Sequence, residues 1–101
     1  MRMLLRVTFP HAKFNAAVKD GSAGPKIQRI LAEQKPESAY FAEFCGKRTG
    51  LIIVNMKDSS EIPAYAEPWF LSFDADVEMH PAMNGEDLGK GDLAALGKKW
   101  G

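Results

Sequence analysis

Residues 3 to 9 place Met3, Leu5, Val7 and Phe9 at a spacing of two, with Arg2, Leu4, Arg6 and Thr8 in the alternate positions, and Pro10 closes the run. Only an extended strand collects such residues on one side, because successive strand side chains point to opposite faces. Proline donates nothing to a ladder, so the strand ends there. One face is apolar throughout and must be covered. The other mixes leucine, arginine and threonine. The same alternation returns in DADVEMHP, where Ala75, Val77 and Met79 share one side and Asp74, Asp76, Glu78 and His80 the other.

Between these two strands the chain predicts helix, strand, strand, helix. Phe14, Ala17 and Val18, then Ile27, Ile30 and Leu31, have helical spacing. DGSAGP between them predicts a kink or break near residues 20 to 25, as either one bent helix or two, with Ser22 or Gly24 near the cap and Pro25 in the first turn of the renewed helix. Tyr40, Phe41 and Phe44, then Leu51 to Val54, read as the second and third strands. Residues 46 to 50 are expected to form the hairpin between them, and Cys45 to be a small buried strand residue. Asp58 and the serines after it are candidate caps for a short helix carrying Ile62, Tyr65 and Ala66, which is expected to kink or end at Pro68. Residues 1–84 thus form one α+β domain. Residues 85–101 form a C-terminal tail whose glycines allow only short helical turns.

This order makes a ferredoxin-like βαββαβ sandwich with one four-stranded antiparallel sheet. Two helices cover only one face, so the mixed face must meet solvent or another protein. A solvated face is expected to be polar; this one mixes apolar and charged residues, which favours a homodimer with symmetric faces. With PWFLSFDADVEMHPAM at its end, the chain over residues 2 to 81 resembles the dimeric α+β barrel superfamily. That group includes muconolactone isomerase-like, antibiotic biosynthesis monooxygenase-like and YCII-related proteins, and the resemblance points to an uncharacterised bacterial branch. It implies paired sheets closing into a barrel, with a pocket inside it or between sheet and helices. No residue role follows from it.

Thirteen basic and thirteen acidic side chains leave no net field to draw the chain onto nucleic acid or an anionic membrane, so neither is expected as a partner. The apolar run at the start is broken by Arg6 and Pro10 and is too short for a signal core or membrane span. A single cysteine suits a reducing compartment, and the cytoplasm is the expected location. No cofactor fingerprint is present. The two histidines are far apart and lack metal-ligand spacing, so no metal is expected.

The candidate chemistry lies on the mixed face. A histidine, whose ordinary pKa is about 6.5, suits proton transfer near neutrality, and His80 shares its face with Glu78. Two residues along a strand is about 6 to 7 Å, which predicts that they line one pocket without bonding directly. Arg6 is either a fork for an anionic group or a cross-strand partner of Glu78 or Asp76. Tyr40 or Glu43, but not both, points the same way, and Tyr65 is a further hydroxyl for binding. His11 is either a cap or a ligand-facing loop residue, and Trp69 either a packing anchor or a stacking platform. Two functions remain open. One is a barrel that binds a small organic molecule, as a cofactor-free isomerase, lyase or oxygenase with Arg6, Glu78 and His80 nearest the chemistry. The other is a non-catalytic interaction dimer.

Overall fold

The computed structural model describes residues 1–101. Its elements run β1 (Arg2–Thr8), α1 (His11–Lys19), α2 (Ala23–Gln34), β2 (Ser38–Phe44), β3 (Lys47–Asn55), a 3-10 turn (Ser59–Glu61), α3 (Ile62–Phe73), β4 (Asp76–Pro81), α4 (Gly85–Lys90) and α5 (Leu93–Trp100). The strands form one antiparallel sheet in the order β2-β3-β1-β4, which is compatible with a ferredoxin-like arrangement.

The core follows the alternation of β1. Met3, Leu5, Val7 and Phe9 are buried with Ile52 and Val54 of β3, under Phe14, Ala17 and Ile30 of α1 and α2 and Trp69 and Phe73 of α3. Burying each large apolar side chain contributes roughly 1.5 to 3 kcal/mol. Phe9 is the hub of the aromatic part, with ring centroids 4.8 Å from Phe14, 5.9 Å from Trp69 and 5.1 Å from Phe73.

The break near residue 20 divides two helices: α1 ends at Lys19, Gly21 takes φ +81°, and α2 begins at Ala23 with Ser22 as its N-cap residue. Asp58 accepts from the Ser60 amide at 2.8 Å and so caps the 3-10 turn; this bond holds its carboxyl below the usual range.

Three local expectations are corrected. The hairpin turn is Cys45–Gly46 alone, and residues 47–50 belong to β3. Cys45 is therefore not a buried strand residue. It is exposed at the tip with φ +53°, followed by Gly46 at φ +77°, the two positive angles of a tight hairpin turn. Third, α3 does not end at Pro68 but continues to Phe73. Proline leaves the carbonyl four residues earlier without its helical donor. Here the buried Gln34 amide of α2 donates to Ala64 O at 3.4 Å and Tyr65 O at 3.0 Å, replacing the lost bond from outside. The helix survives because buried residues on both sides of Pro68, Ala66 before it and Trp69 and Phe73 after it, are anchored in the core.

The C-terminal tail forms two short helices despite its glycines. Asn84 and Asp87 make a reciprocal capping box on α4, and Asp92 accepts from the Ala95 amide to start α5.

Candidate functional site

Strand parity builds the uncovered face of the sheet. Arg6 lies between Leu51 on β3 and Glu78 on β4, and Leu4 between Ile53 and His80. From β2, Tyr40 stands opposite Leu51 and Phe44 opposite Lys47. Leu4, Leu51 and Ile53 are half-buried, while Tyr40 is 70% exposed.

A polar row crosses this apolar ground. Glu78 Oε2 lies 3.8 Å from Arg6 Nε, and Glu78 Oε1 lies 3.3 Å from His80 Nε2. The expectation that Glu78 and His80 stay apart is corrected. Spacing along the strand separates their α-carbons, but side chains on one face lean along the strand and close the gap. The carboxylate accepts when His80 carries its proton on Nε2. Arg6 also stacks on Phe44, with its guanidinium carbon 4.9 Å from the ring centroid. Its Nε is buried there without a hydrogen-bond partner, a costly state for a donor. Its side chain as a whole is 40% exposed.

The structure thus brings Arg6, Glu78 and His80 together on one face, with Tyr40 two strands away across Leu51. The other expected residues lie elsewhere. Trp69 is fully buried in the core against Phe9 and Phe73. Tyr65 lies on α3 and donates to Asn55 O at 3.3 Å. His11 is exposed at the start of α1. Glu43 faces the helices, opposite Arg48, and accepts from the Gly46 amide at 2.8 Å.

One cluster had no signal strong enough to find it. Arg2, on the same side of β1 as Arg6, donates from Nε and Nη2 to Glu37 at 2.9 to 3.2 Å and from Nη1 to Asp87 at 2.9 Å. The hydrogen bond and charge of Glu37 hold the guanidinium above its ordinary range, and the same bond holds the Glu37 carboxyl below the usual carboxylate range. Parity places Arg2 on the open face, but residues 35 and 85 positions away must fold back to meet it.

Arg2 lines the largest cleft, about 630 Å³, with Met1, Glu37, Asn55, Pro81 and Asp87 among its walls. Its forked nitrogens are already engaged by two carboxylates, so it is not a free receptor for anions. Two smaller clefts, of about 370 and 360 Å³, open on the other side, beside Phe41 and Arg48 and beside Gln34 and Tyr65. None of these three is lined by Arg6, Glu78 or His80. Their row lies on an open surface that only a second body would enclose.

No group of three or more metal-ligating side chains stands together, and no helix is long and apolar enough to cross a membrane. No protein-family model matches the chain and no curated protein matches it.

Proposed function

We propose that the protein is a homodimer of the dimeric α+β barrel type, with a second copy laid against the open sheet face, and that the enclosed space binds a small organic molecule bearing an anionic group. One observation carries this reading. The linked Arg6–Glu78–His80 row crosses a sheet face whose surroundings, Leu4, Leu51, Ile53, Tyr40 and Phe44, are apolar and uncovered by the chain itself. Enclosure would lower the local dielectric and strengthen the hold of Arg6 on a carboxylate or enolate. His80, paired with Glu78, is the group placed to move a proton, which suits cofactor-free isomerase, lyase or oxygenase chemistry. A reducing, cytoplasmic setting suits the exposed thiol of Cys45.

The second reading is an interaction dimer without a ligand. It is favoured by the direct cross-strand placement of Arg6 and Glu78, which partly satisfies each charge within one chain.

Sedimentation followed by a thermal-shift screen separates these readings, using wild type and His80→Ala against small aromatic acids, lactones, phenols and haem. The expected result is a dimer at micromolar concentration and stabilisation that His80→Ala loses. A ligand at a hundredfold excess over its Kd contributes about 2.7 kcal/mol. For a domain of this size that is a rise of roughly 10 to 20 °C. A dimer that no compound stabilises supports the interaction reading, and a monomer defeats both.

A further inference from the structure

The covered core, the uncovered face and the Arg2 cluster leave one part of the molecule without a role. Every residue of α5 is exposed, including Leu93 at 60%, Leu96 at 45% and Trp100 at 77%. Spacings of three and four put these three side chains along one side of the helix. The helix is nonetheless well specified, with an Asp92 cap at its start and Lys98 and Lys99 in its last turn, where cations suit the helix dipole. Eight residues are too few to hold a helix in water alone, where the margin lies at about 12 to 15. A sequence this well capped, with an apolar stripe, needs a surface to lie on.

Its own domain does not supply that surface. The molecule measures 58 × 29 × 19 Å with a radius of gyration of 16.7 Å, against about 13 Å for a compact chain of this length. The base of the arm, by contrast, is fixed: Asp87 of α4 closes the capping box with Asn84 and accepts from Arg2. Arg2 belongs to the open-face side of β1, so the arm leaves the domain on the side where the second copy would sit.

We infer that α5 docks on the second copy of the chain, each arm crossing to the other subunit beside its open sheet face. This rests on the dimer proposed above and adds to it which segment is exchanged. Three features select a second copy as the occupant. The arm is continuous with the proposed interface. Its apolar stripe matches a face that is itself apolar at the half-buried Leu4 and the exposed Tyr40. Its terminal Lys98 and Lys99 are complemented by Asp76, an exposed carboxylate on the edge strand β4 without an ion-pair partner of its own. Reciprocal exchange satisfies both arms by one two-fold operation and leaves no open end.

The test uses the full chain. Hydrogen–deuterium exchange of residues 93–100 is followed across a concentration series spanning the dimer Kd, and that Kd is measured by sedimentation for wild type and Leu96→Asp. Leu96 is exposed and stands outside the core cluster, so the variant is expected to fold, and retention of the wild-type circular dichroism spectrum checks this. The expected results are exchange at least tenfold slower in the dimer and a Kd raised at least tenfold by Leu96→Asp. Exchange that does not change on dimerisation, or a Kd unmoved by Leu96→Asp, overturns the docking while the sheet-face dimer stands. A chain monomeric throughout the series overturns both.

Discussion

The two faces of this sheet are written by alternate residues of the same strands, yet they have opposite fates. On one side, Leu5, Val7 and Ile52 are wholly buried beneath Trp69 and Phe73. On the other, Leu4, Arg6 and Leu51, their immediate neighbours in the chain, are only half covered. The first face is completed by the chain's own helices and determines whether the protein folds. The second is left unfinished, with an arginine Nε lacking a partner and a carboxylate bridging toward a histidine. The difference teaches where to look: the buried core is concentrated on one parity of the strands, and the proposed chemistry and association fall on the other.

The sharpest way to break this division is to remove its central anchor. Trp69→Ala should cost about 3 to 5 kcal/mol in urea or thermal unfolding, because a fully buried ring is lost and the cavity refills only in part. A variant near wild-type stability would mean that the covered face is not the seat of folding energy.

A finer test uses adjacent leucines. Leu5→Ala should cost about 2 to 5 kcal/mol, and Leu4→Ala about 1 kcal/mol or less in the monomer while weakening the proposed dimer. Equal losses by denaturant unfolding at low protein concentration would erase the distinction between the faces.

The smallest effect sharpens the role of the open-face end. Arg2 lowers the Glu37 carboxyl in the folded state, so the pair stabilises above the ordinary glutamate pKa of about 4.3, and that support is lost as pH falls through the lowered folded value. Comparing Glu37→Gln with wild type by thermal melts should show the variant less stable at pH 7 and the gap closing below about pH 4. A gap that widens in acid would reverse the assignment. Glu37 is exposed and Arg2 only half-buried, so the effect is small and should shrink further in salt.

How much of this was legible depended on the range of the interaction. The alternations around Leu5 and Val77 and the break at residues 20 to 25 are local signals; they placed the terminal strands and located the break, but do not decide between one bent helix and the two that the structure shows. Parity also grouped Arg6, Glu78 and His80 on one face and put Tyr40 opposite in sense to Glu43. The hairpin was misplaced because Cys45 is not a residue that announces a left-handed turn. Pro68 reads as a helix breaker since nothing nearby in sequence shows that Gln34 supplies the missing donor. The contact between Glu78 and His80 depends on side-chain lean, and the joining of Arg2 to Glu37 and Asp87 on the meeting of three distant segments. Backbone spacing encodes neither.

The strand order has a consequence for how the chain reaches this state. The β2–β3 hairpin closes through a two-residue turn and can form early, on a timescale of roughly 1 to 10 μs. β1, first in the chain, lies inside the sheet between β3 and β4, and its register pairs Met3 with both Val54 and Pro81. The opening strand must therefore wait through synthesis for its second neighbour, and the sheet closes only when residue 81 is free to pair. Until then the apolar side of β1 has no complete seat. Early docking of that one strand on the hairpin is therefore the step expected to keep its apolar side from aggregating.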